Sequence, residues 1–273
     1  MKKNIYLLLS LVFYINCAGA QELFSYTEPA SNMAANSLGI RVTDNFMKES
    51  KANNFNSHIM PEVMLGVSRK IMIHGEAFLS IGNSVFKTEG GAIYLKYRFF
   101  SKDDIHSHFR IAVFGRYAFN NSDVHQSSID LNGHNTGFEM GLVSTKLINK
   151  VALSASLSCL TAQDNLSGNK FILVDSNGRN AINYTFSVGK LMIPKEYVSY
   201  NQTNMNAMLE ILVQTNLSTG ISNLDIAPVI QFIIKSKMRV DVGYRIPLSN
   251  QLYRKYPEGG MIRFEYNLFN VVR

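Results

Sequence analysis

Apolar and polar side chains alternate with period two in many segments of this chain. From 109 to 120, one set is Phe109, Ile111, Val113, Gly115, Tyr117 and Phe119. The intervening set is Arg110, Ala112, Phe114, Arg116, Ala118 and Asn120. Between 93 and 100, Ile93, Leu95, Tyr97 and Phe99 alternate with Tyr94, Lys96, Arg98 and Phe100. Between 238 and 246, Met238, Val240, Val242, Tyr244 and Ile246 alternate with Arg239, Asp241, Gly243 and Arg245. Near the end, Ile262, Phe264, Tyr266 and Leu268 alternate with Arg263, Glu265 and Asn267. Such alternation marks strands whose two faces meet different surroundings.

The pattern predicts about twelve strands, at 37–46, 57–67, 70–82, 90–100, 108–120, 136–148, 151–162, 181–193, 207–218, 223–235, 238–248 and 259–270. Many exceed the 5–6 residues usual in soluble sheets and reach the roughly 9–11 needed by a tilted membrane strand. Short links near 68–69, 103–104, 149–150 and 236–237 mostly alternate with longer polar ones at 47–56, 83–89, 121–135, 163–180 and 249–258. That is the habit of a transmembrane barrel with short inner turns and long outer loops. Two links break it: 194–206 is long where a short turn belongs, and 219–222 is short. The expected fold is therefore all-β, an antiparallel transmembrane β-barrel spanning 37–273.

A Lys or Arg facing lipid at mid-membrane costs about 2–4 kcal/mol, so the charged faces belong to the lumen. The lumen set is Arg41, Glu62, Glu76, Lys96, Arg98, Arg110, Arg116, Glu139, Glu210, Asp225, Lys235, Arg239, Asp241, Arg245, Arg263 and Glu265. Acids and bases are mixed, which predicts a plugged or tightly bridged interior rather than a wide water channel. Twelve strands also give a smaller bore than the 16–18 of general porins. Phe99, Phe100, Phe119, Tyr184, Tyr244 and Phe269 lie near strand ends, where interfacial aromatics are expected.

Residues 1–20 have the form of a secretory signal peptide. Lys2 and Lys3 precede an apolar run from Ile5 to Ile15, and Ala18-Gly19-Ala20 supplies a cleavage pattern before Gln21. Its removal takes away Lys2, Lys3 and no acid, so the formal charge of +7 becomes +5. Residues 21–36 lack alternation and are expected to be a periplasmic lead-in, or a small insert at the barrel mouth. The mature chain would keep one cysteine, Cys159, read as a packing residue without a disulfide. No later apolar run is long enough for a membrane helix. Export and the lack of a basic cluster argue against nucleic acid. The expected surroundings are outer-membrane lipid and lipopolysaccharide, reached through the barrel-assembly machinery.

Candidate chemistry is sparse. In His106-Ser107-His108 the serine faces away from both histidines on a strand, so no nucleophile–base pair is expected and the chain is not read as an enzyme. Link 121–135 holds Asp123, His125, Asp130 and His134; the spacing matches no known site, and no metal is assigned. His125 and His134 are the candidate ligands there. Met60 and Met64 share parity with Glu62, and Met72 with His74 and Glu76; packing is the simpler reading of these methionines. No cofactor is expected.

Several stretches carry a resemblance: Tyr26-Thr-Glu-Pro-Ala-Ser-Asn-Met33, Ser37-Leu-Gly-Ile-Arg41, Met60-Pro-Glu-Val-Met64, Asn120-Asn-Ser-Asp123, Gly133-His-Asn-Thr-Gly137 and Ile262-Arg-Phe-Glu-Tyr266. With these the mature chain resembles a family of uncharacterised outer-membrane β-barrel proteins from Bacteroidota. The resemblance brings no assigned activity and no site residues. The chain departs from the general barrel pattern by ending on Arg273, not an aromatic residue. Together these readings point to a narrow channel for small solutes or ions. The alternative is a structural or binding barrel whose outer loops recognise a ligand or partner, with a possible link to metal handling.

Overall fold

In a computed structural model, residues 24–49, 55–82, 85–104, 107–124, 126–166, 178–194 and 201–271 are described. The leader 1–20, His106, His125 and most of link 163–180 lie outside them. Twelve strands follow one another: β1 (Ser37–Lys48), β2 (Phe55–Gly66), β3 (Ile71–Gly82), β4 (Val85–Asp103), β5 (Ser107–Asn120), β6 (Thr136–Ile148), β7 (Val151–Gln163), β8 (Asn180–Ile193), β9 (Thr203–Asn216), β10 (Ser222–Ile234), β11 (Met238–Asn250) and β12 (Glu258–Leu268). Each pairs antiparallel with its sequence neighbours, and β1 pairs with β12 to close the barrel. Closure leaves no open strand edge, so every strand finds backbone partners on both sides.

The alternation separates two faces. Outside, Ile93, Leu157, Phe186, Ile230, Val242 and Ile262 belong to an exposed apolar surface contributed by every strand. A continuous apolar belt of this kind suits lipid, not water. The outward lysines Lys146 and Lys190 are exposed near strand ends, where a long stem lets the ammonium reach a polar layer. Cys159 is also exposed, so it packs against nothing in the interior. Inside, Lys96, Glu210 and Asp241 are fully buried.

Two expectations change at irregularities. A register shift between Arg98 and Phe100 in the β4–β5 ladder breaks the alternation, so Phe99 and Phe100 are both exposed. Lys235 does not line the lumen. It lies in the β10–β11 turn, exposed and with a left-handed φ of 52°. β9 begins at Thr203, which shortens the anomalous link 194–206 to 194–202.

Candidate functional site

The interior is crossed near its short-turn end by residues 24–36, which lie inside the lumen rather than outside the mouth. This strap has no regular structure, so its backbone groups need partners from the wall. Glu210 on β9 accepts the amides of Ser25, Tyr26 and Thr27 at 2.8, 2.9 and 2.9 Å, and the Thr27 hydroxyl at 2.7 Å. Arg239 on β11 donates to the Phe24 carbonyl at 2.7 Å. Lys96 on β4 donates to the carbonyls of Pro29 and Ser31 at 2.7 and 2.9 Å. Thr145 accepts the Ala30 amide at 2.9 Å, and Arg110 donates to the Ser31 hydroxyl at 2.8 Å. Apolar contacts add to this: Phe24 packs with Met208, Val229 and Met261, and Ala30 with Ala112 and Val143.

Ion pairs join the strap to the wall. Arg41 meets Glu28 at 2.8 Å, Glu62 at 3.1 Å and Glu265 at 3.0 Å. Arg239 meets Asp241 at 2.5 Å and Glu265 at 3.4 Å. Charges this deep are tolerable only because each has an opposite charge and further hydrogen bonds. Burial alone would raise the Glu28 carboxyl, but Arg41, then Lys96 and His74, hold it well below the usual carboxylate range.

At the other end, residues 126–135 of the β5–β6 loop fold inward, as does Val124. Gln214 on β9 grips Ile129 through both backbone groups, accepting its amide at 2.8 Å and donating to its carbonyl at 2.7 Å. Tyr253 O accepts the Ser127 amide at 2.9 Å. Val124, Ile129 and Leu131 pack against Phe78, Ala118 and Leu160. A tight turn follows, in which Asp130 accepts the Asn132 amide at 2.8 Å and Gly133 takes a φ of 113°. The β11–β12 loop folds in beside it through Arg254, which binds Asp225 in a two-pronged pair at 2.5 and 2.7 Å.

Strap and loop border a partly open chamber of about 290 Å³. Its wall carries Arg41, Glu62, Glu76, Arg116, Glu139, Asp225, Arg245 and Arg263 among uncharged Thr43, Ser158, Thr185 and Asn183. Arg116 meets Glu76 at 3.1 Å, and Arg245 meets Asp225 at 2.6 Å. Arg263 donates to Thr43 at 2.9 Å. Lys96, Glu210, Arg239, Asp241 and Glu265 form the floor with the strap, and Arg98 and Arg110 lie toward the short-turn rim. His134 faces inward, its ring 4.5 Å from that of His58 and its Nε2 3.9 Å from Asp130. Asp123 is exposed.

The sequence reading missed a cluster of Glu62, His74 and Glu76, whose ligand atoms lie within 4.8 Å of one another. Parity places all three on the inner face. The missing piece was register: the expected turn at 68–69 sets Glu62 opposite Gly75, whereas the observed hairpin sets it opposite Glu76.

No family model and no curated protein matches the sequence. Solved structures do match in fold. An outer membrane channel from Pseudomonas putida F1 superposes with a TM-score of 0.53 at 9% identity, covering 88% of this chain and 98% of that one. The NanC porin gives 0.49 at 11% identity, covering 83% and 97%. The KdgM porin gives 0.45 at 8% identity, covering 84% and 98%. The first of these supports the closed barrel architecture.

Proposed function

We propose that the protein is an outer-membrane channel for small solutes or ions, and that this arrangement is its resting, obstructed state. One observation carries the reading: a polar chamber lies inside an apolar-sided barrel, and both of its closures are chain segments outside the wall. The strap 24–36 would close the periplasmic end and the loop 121–135 the outer end. Both are held by hydrogen bonds, ion pairs and small apolar clusters, which can exchange with water without opening the barrel ladder. On this reading residues 1–20 direct export and are removed, and the belt meets lipid and lipopolysaccharide. The similar solved channel agrees in architecture with this role. The interior contains charges of both signs, which suits a small hydrated or zwitterionic solute better than a bulk flow of one ion sign.

Planar-bilayer recording of the purified protein tests the reading. The parent should show brief, infrequent openings, and Glu210→Ala should raise the open fraction severalfold by freeing the strap. Silence from both, with barrel folding verified by heat-modifiable gel migration, would defeat it. The competing idea, recognition by displayed outer loops, is less favoured because loop 121–135 buries Ile129 and Leu131 rather than presenting them.

A further inference from the structure

Glu62 and Glu76 stand directly opposite each other on β2 and β3, and the next inward pair is Met64 and His74. Like charges opposite each other across a ladder destabilise a sheet. Here both side chains are more than nine-tenths buried, at 8% and 7% exposure, so water relieves little of the repulsion. Two arginines relieve part of it. Arg41 takes Glu62 Oε2 at 3.1 Å, and Arg116 takes Glu76 Oε1 at 3.1 Å. Each arginine uses one oxygen and thereby fixes the carboxylate's orientation.

The remaining donors are left over. Glu62 Oε1 is buried against His74 Nδ1 and has no other partner. His74 is 1% exposed, and its Nε2 is also without a partner. Every protonation state of the imidazole leaves a buried nitrogen uncompensated, which costs about 1–3 kcal/mol. A buried imidazole with an unpartnered nitrogen, set beside two carboxylates, is an arrangement that a shared cation would compensate.

We propose that Glu62, His74 and Glu76 form a binding site for one divalent transition-metal cation on the chamber wall. One imidazole nitrogen and two carboxylate oxygens suit borderline ions of the zinc type, more than soft copper(I) or hard calcium. Glu62 and Glu76 line the chamber, so the ion enters from it and a chamber water completes the coordination. Arg41 and Arg116 hold the ligating carboxylates from behind, as outer-shell partners commonly do. Their positive charge weakens cation binding, and the nearby acids Glu28 and Glu139 oppose that effect. The site does not depend on the channel reading, because a silent barrel could still bind the ion.

Calorimetric titration of the detergent-purified, chelator-stripped protein with Zn²⁺ reads the affinity, and Co²⁺ gives a visible d–d spectrum. The expected result is one saturable equivalent. His74→Ala and the isosteric Glu76→Gln should each weaken it at least about tenfold, and His134→Ala should leave it unchanged. Heat-modifiable migration checks that each variant is folded; should His74→Ala fail to fold, Glu76→Gln decides. Absence of saturable binding, affinity unchanged in the folded ligand variants, or equal loss in His134→Ala would overturn the proposal.

Discussion

A single carboxylate anchors three consecutive amides of the strap, and this makes Glu210 the residue on which closure of the floor depends most directly. Removing it leaves those buried donors without an acceptor, at about 1–3 kcal/mol for each one that water cannot reach. Glu210→Ala should therefore speed hydrogen exchange at Ser25, Tyr26 and Thr27 by at least tenfold, while amides within the β9–β10 ladder stay protected. Equal protection in parent and variant would show that the apolar contacts of Phe24 suffice. In the loop 121–135, Asp130 holds the tight turn by accepting the Asn132 amide and lies in the field of Arg245 and His58 on the wall. Burial opposes its ionisation, but His134, the Asn132 amide, Arg245 and His58 together hold its pKa below the usual value. Its contribution to loop docking is thus complete above the ordinary carboxylate range and is lost as pH falls through the lowered value. Loop 121–135 should resist protease at pH 7 and at pH 5, and become cleavable only in more acid solution. Asp130→Asn should remove that acid step.

At the scale of elements, the strands were legible and the closures were not. All twelve appear where alternation placed them, with ends moved by a few residues, because two different solvents impose period two on a long strand. A bulge is a local backbone event, so Phe100 looked inward by parity and lies outside. The strap has no period to read. Its partners lie far away in sequence, with Ser25 and Glu210 separated by 185 positions. Mixed lumen charge gave the expectation of a bridged interior, but not the chain segment that bridges it. Strap movement can be tested by fixing it. Thr27 Oγ1 and Ser187 Oγ are 3.1 Å apart, and Cys159 faces outward, away from both. The double variant Thr27→Cys/Ser187→Cys, oxidised, should conduct less often than the parent, and a reductant should restore the parent openings. If the bridge forms and openings continue unchanged, the strap is a fixed part of the barrel and not a gate.

The molecule as a whole is inverted relative to a soluble protein, with an apolar outside and charged groups buried within. This pattern gives its outer and inner faces opposite tolerances. Leu157 on β7 is 56% exposed on the outer face, while its neighbour Ser158 is 3% exposed and donates to Glu139 at 2.6 Å. Leu157→Arg places a guanidinium near the middle of the belt, and reversible unfolding from lipid vesicles should show a loss of about 2–4 kcal/mol. Leu157→Ala should lose less, since lipid fills the space the side chain leaves. The same arginine at a strand end, as in Ile148→Arg, should cost about 0–1 kcal/mol, because the head reaches the polar layer. A soluble sandwich would give a different ranking: exposed arginines would be neutral at both positions, and no depth dependence would appear. The comparison of those two arginines therefore measures whether lipid is the solvent that the alternating pattern was built to meet.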